Sequence, residues 1–196
     1  MSSQSYKKLT QAQGKKFQNP VEIFDEIKSV YHQIIKTYLE PSPLIKSVWL
    51  SEYIGGEVWL KLESLNPNGS FKVRGALNAL SQIKKNTQNQ PNSKSKVCAA
   101  SAGNHAQGVA YACRELGCEA HIFLPKGASL AKRDATEKLG AKLYLVGETL
   151  EDAFEAAIKF SEEENATFLH AFNNYDVIIG QATCAYETIL QFQQQK

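Results

Sequence analysis

Between residues 97 and 170 the sequence alternates regularly between short apolar runs and longer amphipathic stretches. Short apolar runs are typical of buried strands, and apolar residues that recur at helical spacing are typical of helices. A repeated order of strand and helix predicts a parallel sheet, because each helix carries the chain back to the edge where the next strand begins. The predicted strands are 97–100, 120–124, 142–146 and 167–170, and the predicted helices between them are 104–116, 130–139 and 150–164.

The sequence on either side of this unit is organised differently. Asn19 followed by Pro20 predicts the start of an amphipathic helix. A strand is predicted at 57–62, and a loop rich in Asn, Pro and Gly leads from it into a helix that begins near Lys72. The last predicted helix covers 177–193. The chain is therefore predicted to be an α/β protein in which helical segments flank a parallel unit.

Lys72 is the first candidate for a catalytic residue. It is predicted to lie in the first turn of a helix, directly after Phe71. Free N–H groups at a helix start carry a positive partial charge and an apolar neighbour excludes water, so both lower the pKa of an amine from about 10.4. An amine with a lowered pKa is a better nucleophile and base at neutral pH. The alternative is a solvated lysine on a helix surface, and the local sequence does not decide between the two.

The turn at 100–108 consists mostly of small residues between a predicted strand and a predicted helix. Small side chains let a ligand approach the backbone, and the free N–H groups at a helix start can bind a carboxylate or a phosphate. The turn therefore predicts an anion-binding cradle. The alternative is an ordinary tight turn in which Ser101 or Asn104 caps the helix and His105 is a packed histidine.

Composition and motif searches exclude several function classes. Lys and Arg total 22 against 20 for Asp and Glu, so the net charge of +2 does not favour a nucleic-acid partner. Val109 and Ala110 stand where a Walker loop requires Lys and then Ser or Thr, and GxGxxG is absent. The 4 cysteines lack zinc-site or CxxC spacing, which favours reduced thiols and no metal. Without an apolar run of about 20 residues or a signal-peptide region, we expect a cytoplasmic protein with a small-molecule partner and no membrane partner.

Two stretches of the sequence together resemble a known family. Asn-Pro-Asn-Gly-Ser-Phe-Lys-Val-Arg-Gly-Ala at 66–76, followed by Ser-Ala-Gly-Asn-His-Ala-Gln-Gly at 101–108, is similar to the threonine dehydratase and serine racemase group of fold-type II pyridoxal-phosphate-dependent enzymes. The likeness extends over 41–181. It implies a tryptophan synthase β-like α/β fold, here with a complete small parallel α/β domain and an incomplete large domain.

The resemblance also implies roles for individual residues. In the family the lysine of the first motif forms a Schiff base with pyridoxal 5'-phosphate, so Lys72 would hold this cofactor with Phe71 beside it. The asparagine of the second motif, here Asn104, is expected near the 3-hydroxyl group of the cofactor. The loop expected to bind the substrate carboxylate comprises Ser101, Ala102, Gly103, Asn104 and His105.

Residue 102 indicates which reaction of the group this chain resembles. Racemases of the family use a second serine at this position as an acid and base, so Ala102 favours a dehydratase. The implied activity is dehydration and deamination of L-threonine or L-serine to a 2-oxo acid and ammonia, with Lys72 removing the α-proton. The implied partner is the amino-acid substrate, and the full-length form is expected to be a homo-oligomer.

The sequence also divides the chain into parts. Residues 1–18 are polar with few apolar residues and are expected to be a mobile arm, and the stretch at 86–96 without an apolar residue suggests a domain boundary. With the resemblance, this implies the N-terminal part of the large cofactor-binding domain at 19–90, the small α/β domain at 91–170 and the start of the remaining large domain at 171–196. The family's glycine-rich phosphate loop, and its later Ser or Cys facing the pyridine nitrogen, are not among the 196 residues, so a C-terminal truncation is expected.

Two single positions also depart from the family pattern. Asn68 stands where threonine is common, and Ala182 stands where a Gly-Gln-Gly pattern is usual. Two hypotheses remain open: a pyridoxal-phosphate-dependent dehydratase or its N-terminal portion, and a catalytically silent remnant or interaction module that keeps the fold. A third, weaker hypothesis is a non-enzymatic binder of small anions.

Overall fold

The structure is a computed structural model that describes residues 19–87 and 95–195. The predicted arm at 1–18 and the predicted domain boundary between residues 90 and 91 lie outside these ranges. No helix within the two described ranges is long and apolar enough to cross a membrane.

The N-terminal part consists of a helix and a small antiparallel pair of strands. Helix α1 (Pro20–Val30) begins where predicted, with the Asn19 side chain accepting a hydrogen bond from Val21 N at 2.9 Å. The helix continues through a π-helical turn (Tyr31–Ile35) into a last α-helical turn (Lys36–Tyr38).

Strand β1 (Leu44–Lys46) pairs with β2 (Trp59–Lys61), and the short helix α2 (Val48–Ile54) connects them. Sequence periodicity did not predict α2, because seven residues are too few to establish a helical period.

A parallel sheet forms the second half of the fold, as predicted. The first helix of this region, α3 (Lys72–Thr87), is followed by the alternating unit and then by the long helix α7 (Tyr175–Gln193). Within the unit the strands pair in the order β5-β4-β3-β6, and all pairs are parallel. Its elements are β3 (Lys96–Ala100), α4 (Asn104–Leu116), β4 (Glu119–Leu124), α5 (Leu130–Lys138), β5 (Lys142–Leu145), α6 (Leu150–Glu163) and β6 (Thr167–Phe168).

Helix α3 lies at the centre of the main apolar core. Val73, Leu77 and Leu80 of α3 are fully buried and belong to one cluster with Val109 of α4 and Ile179 of α7. Because α3 contacts α4, α7 and the π-helical turn (Tyr31–Ile35), it joins the parallel unit to the N-terminal part of the chain.

Two glycines allow the helices around α3 to approach it closely. A Cβ atom on Gly108 of α4 would lie 3.1 Å from the carbonyl carbon of Lys72, and one on Gly180 of α7 would lie 2.6 Å from Arg74 O. Both contacts involve the backbone of the first turn of α3, which a side-chain rotation cannot relieve. Close backbone packing therefore holds this turn from two sides.

Candidate active site

The structure brings the two sequence motifs together at one edge of the parallel sheet. Lys72 is the first residue of α3 and Asn104 is the first residue of α4. The Asn68 side chain connects the two loops, because its Nδ2 donates to Asn104 O at 3.5 Å. The starts of α3 and α4 therefore face the same region, although 32 residues of sequence separate Lys72 from Asn104.

The loop before Lys72 is held by hydrogen bonds within the first motif. Gly69 adopts a left-handed conformation with φ 70°, which a residue with a Cβ atom rarely adopts, and its N–H donates to Asn66 O at 2.7 Å. Ser70 Oγ accepts hydrogen bonds from Lys72 N at 3.3 Å and from Asn68 Nδ2 at 3.1 Å. The asparagines, the glycine and the serine of the motif thus shape the chain that leads into α3.

The Lys72 amine lies in a partly apolar environment. Its Nζ donates to Ala171 O at 3.0 Å and lies 5.3 Å from the centre of the Phe71 ring. Burial lowers the pKa of Lys72 below its ordinary value. The sequence-based prediction that Lys72 lies in the first turn of a helix is confirmed, and the direction of the pKa shift agrees with that expected of a reactive amine.

The loop at 101–105, called the cradle loop, leaves the start of α4 open. Gly103 is the N-cap residue, and no side chain among the described residues caps this helix. Ser101 Oγ instead accepts from Gly103 N at 3.2 Å, and a Cβ atom on Gly103 would meet no described atom within 4 Å. Capping by Ser101 or Asn104, which the sequence left open, is therefore wrong. The free N–H groups of the first turn of α4 remain available for an anion.

Two buried histidines lie near the Lys72 amine. His105 Nε2 lies 3.0 Å from Leu169 O, while its Nδ1 is buried without a hydrogen-bond partner in the described ranges. Burial, followed by the positive charge of Lys72, lowers the pKa of His105 to about 4 despite the opposing effect of Leu169 O. Burial and Lys72 also lower the pKa of His170. Both imidazoles are therefore neutral at pH 7.

Sequence reasoning missed the loop after β6. His170 Nδ1 accepts hydrogen bonds from Phe172 N at 3.2 Å and Asn173 N at 3.0 Å, which shapes this loop so that Ala171 O faces Lys72. A signal was present in the sequence, because residues that follow the carboxyl ends of parallel strands lie at the same edge of the sheet. His170 nevertheless has no motif around it that distinguishes it from a packed histidine.

A buried cluster of charged residues lies behind the first turn of α3. The Arg74 side chain is 0% exposed, and its Nε and Nη2 atoms donate to Glu63 at 2.7 and 2.8 Å. Its Nη1 and Nη2 atoms donate to Glu187 of α7 at 3.2 and 2.8 Å. Lys61 Nζ also donates to Glu187. The cluster ties the turn that carries Lys72 to β2 and to α7, a role that the sequence did not indicate.

Glu63 of this cluster keeps its charge because Arg74 is close. Burial raises the pKa of Glu63, but hydrogen bonds from Arg74 and Ser42 outweigh this effect and lower it overall. Burial lowers the pKa of Arg74, but Glu63 and Glu187 raise it above its ordinary value. Arg74 is therefore a permanent cation within a buried ion-pair cluster, whereas burial lowers the pKa of Lys72.

The remaining predicted site residues take different positions around the two helix starts. Phe71 is 43% exposed beside the lysine amine, and Ala102 is partly buried against the main core. The arrangement as a whole places a half-buried amine next to an open helix start. It is suited to forming a covalent bond between the amine and an aldehyde or ketone while the helix start binds an anionic group.

Comparisons with known proteins agree with this geometry. Residues 35–196 match the family described as pyridoxal-phosphate dependent enzyme. The chain is 41% identical over 163 residues to L-threonine ammonia-lyase of Thermotoga maritima, which covers 83% of this chain and 39% of that protein.

Solved structures show the same fold. The processed form of threonine deaminase isoform 2 from Solanum lycopersicum superposes with a TM-score of 0.79 at 31% identity, covering 91% of this chain and 48% of that one. Serine racemase from Dictyostelium discoideum superposes with a TM-score of 0.76 at 29% identity, covering 85% of this chain and 52% of that one. The chain thus spans half or less of the length of most of these relatives. The fold-type II assignment is confirmed, and the chain belongs to the family of pyridoxal-phosphate dependent enzymes.

Proposed function

We propose that this chain contributes to the pyridoxal-phosphate-dependent dehydration and deamination of L-threonine or L-serine to a 2-oxo acid and ammonia. One observation carries the proposal: Lys72, whose amine has a pKa lowered by burial, begins α3, and the Asn68 side chain joins the loop before it to the open start of α4. The similarity to L-threonine ammonia-lyase of Thermotoga maritima supports the substrate class. Because the chain spans 39% of that protein, the complete activity is a proposal for the protein in its full-length form.

The residues present fit the cofactor at its aldehyde end. Lys72 would hold pyridoxal phosphate, with Phe71 beside the amine and Asn104 at the start of α4 near the ring. Gly103 leaves this approach open, since no described atom lies within 4 Å of a Cβ atom built there. When bound, pyridoxal phosphate supplies an electron sink for the negative charge that develops on the α-carbon of an amino acid.

The residues of the site would divide the remaining work. The loop from Ser101 to His105 binds the substrate carboxylate through backbone N–H groups of α4. Lys72 Nζ, once free, accepts the α-proton, and Ala171 O holds this nitrogen at 3.0 Å. Ala102 offers no hydroxyl group as a second acid or base, which favours dehydration over racemisation.

We also propose the domain division that the sequence implied. The parallel sheet, which spans β3 to β6, supports a small domain at 91–170. The contacts of α7 with α3 support grouping 171–196 with 19–90 as parts of the large domain. The cysteines at 98, 113, 118 and 184 are free in the described ranges, which supports a reducing compartment such as the cytoplasm.

The test combines a spectrum and a product assay. Adding pyridoxal phosphate to the full chain should give the yellow absorbance of a lysine Schiff base, and Lys72→Ala should abolish it. Lys126→Ala is a matched control, since this exposed lysine pairs loosely with Glu148 at 3.8 Å and should leave the colour unchanged. Production of 2-oxo acid from L-threonine above the Lys72→Ala background supports the lyase activity.

The alternative, a catalytically silent module that keeps the fold, predicts the opposite result. It requires 2-oxo acid formation at the Lys72→Ala background, even at saturating pyridoxal phosphate. A colourless wild-type chain would remove the cofactor from the proposal for this chain alone. Binding of small anions that survives Lys72→Ala, without colour or product, would favour the non-enzymatic anion binder.

A further inference from the structure

The amide of Asn68 lies between the starts of the two helices that form the candidate site. The residue is 5% exposed. Its Nδ2 donates to Ser70 Oγ at 3.1 Å and to Asn104 O at 3.5 Å. One side chain therefore reaches both the loop at 66–71 before Lys72, called the lysine loop, and the cradle loop. The Oδ1 atom of the same amide is buried and finds no hydrogen-bond partner among the described residues.

The orientation of this amide follows from its neighbours. A backbone carbonyl such as Asn104 O can only accept, so the amide atom that faces it must be the donor Nδ2. Turning the amide by 180° would place Oδ1 against Asn104 O, where two acceptors would repel each other. Oδ1 is therefore the atom that remains without a partner, and it is an acceptor.

A buried acceptor without a partner is costly, because it has lost its hydrogen bonds to water without replacement. Asn68 Nδ2 reaches Asn104 O at the start of α4, where the free N–H groups are donors for an anion, and Oδ1 belongs to the same amide. The combination of donors for a carboxylate and one acceptor beside them matches an amino acid. Its carboxylate accepts hydrogen bonds, while its ammonium and hydroxyl groups donate them.

We propose that Asn68 Oδ1 accepts a hydrogen bond from the ammonium or β-hydroxyl group of an amino acid whose carboxylate lies at the start of α4. Asn68 is then a substrate-binding residue that links the lysine loop to the cradle. This inference rests on the proposed function, because it takes the amino acid to be the ligand of this site. It extends that function by naming the residue that distinguishes amino acids from plain carboxylates.

Four small probes separate the two donors. Propionate has only the carboxylate, 3-hydroxypropionate adds the hydroxyl group, L-alanine adds the ammonium group, and L-serine has both. Each is titrated into the ¹⁵N-labelled full chain without cofactor, and nuclear magnetic resonance follows the backbone amides of Asn104 and His105 and the side-chain amide of Asn68. All four probes should shift the backbone amides. Only probes with the relevant donor should shift the Asn68 amide, and comparing L-alanine with 3-hydroxypropionate shows which donor it is.

Two substitutions at position 68 test the acceptor itself. Asn68→Leu has a similar volume but no polar atom, so it should weaken L-serine binding about three- to tenfold and leave propionate binding unchanged. Asn68→Asp keeps an acceptor and loses the donor to Asn104 O, so it should retain the preference for L-serine over propionate. Circular dichroism and thermal melting confirm that each variant is folded.

Asn66→Leu is a matched control from the same loop. Asn66 Nδ2 donates to Glu63 Oε2 at 2.8 Å and to Ser70 O at 3.3 Å, so its amide is engaged within the protein. This substitution disturbs the loop as Asn68→Leu does but removes no buried acceptor that lacks a partner among the described residues. It should therefore leave the ratio of L-serine to propionate affinity unchanged.

Three outcomes overturn the inference. They are an Asn68 amide that responds equally to all four probes, an Asn68→Leu variant that keeps the wild-type preference, and a full chain that binds none of the probes. The proposed function is judged separately by the yellow colour and the 2-oxo acid. Colour and product together with an unchanged preference in Asn68→Leu would leave the lyase and remove the role of Asn68. Donor-dependent binding by a colourless chain would do the reverse.

Discussion

Lys72 and Arg74 lie in the same first turn of α3, but the hydrogen-bond partners of their charged groups differ. Lys72 is partly buried, and its Nζ donates to the backbone carbonyl of Ala171. Arg74 is fully buried, and its guanidinium group donates to the carboxylates of Glu63 and Glu187. Burial lowers the pKa of the first, and the carboxylates raise the pKa of the second.

The difference shows how one helical turn can serve both structure and chemistry. A carbonyl dipole orients an amine without stabilising its charge as strongly as a carboxylate does, so burial decides the pKa of Lys72. Two carboxylates compensate the guanidinium charge and fix the backbone of the same turn. The permanent ion pairs of Arg74 thus hold in place a neighbouring amine that can lose its proton.

The largest effect is expected from Arg74→Met. This substitution leaves Glu63 and Glu187 buried without their main cation, so the free energy of unfolding in urea should fall by about 3–5 kcal/mol. Lys96→Met is the matched control, because Lys96 forms an exposed ion pair with Glu164 at 2.7 Å and its loss should leave the free energy of unfolding nearly unchanged. Equal losses in the two variants would contradict the structural role assigned to the buried cluster.

Gly180→Ala tests the backbone packing that holds the same turn from the side of α7. The new Cβ atom would lie 2.6 Å from Arg74 O and 2.7 Å from Gly75 Cα, so the helices must separate. The free energy of unfolding should fall by about 2–3 kcal/mol, measured by urea denaturation. Gly127→Ala should be nearly neutral, since its Cβ atom would meet no described atom within 4 Å. A stable Gly180→Ala variant would show that α7 does not restrain the turn.

Acid should destabilise the protein through His105, which lies near the Lys72 amine. The unfolded state takes up a proton on histidine near pH 6.5, whereas folded His105 does so only at about pH 4. The unfolded state therefore binds more protons between these values, and the free energy of unfolding should fall by about 3 kcal/mol as the pH decreases through this window. In His105→Asn the fall, followed by urea denaturation at several pH values, should be smaller. An identical pH dependence in both proteins would contradict the burial of a neutral His105.

The smallest effect on stability is expected from Lys72→Met, although this position matters most for the proposed chemistry. No carboxylate of the described residues pairs with the amine and methionine has a similar shape, so the free energy of unfolding should change by less than about 1 kcal/mol. The yellow colour with pyridoxal phosphate should be lost completely. A loss of stability close to that of Arg74→Met would remove the contrast between the two residues.

Local patterns in the sequence predicted much of the fold. The alternation between residues 97 and 170 gave the parallel unit, because strand and helix periods are properties of neighbouring residues. The start of α3 at Lys72 and the strand-to-helix turn at 101–104 were predicted for the same reason. The two motifs in their order also identified the family that the comparisons confirm.

What only the tertiary structure decided concerns residues that are far apart in the chain. Ala171 meets Lys72 across 99 residues, and Glu187 meets Arg74 across 113. No local pattern in the sequence specifies such pairs, because they depend on how α7 and the loop after β6 pack against α3. The sequence by itself determined that a lysine begins one helix and that a turn of small residues precedes another. The folded chain decided that this lysine has a carbonyl as its partner while the arginine two positions later has two carboxylates, and burial with those partners sets the opposite pKa shifts.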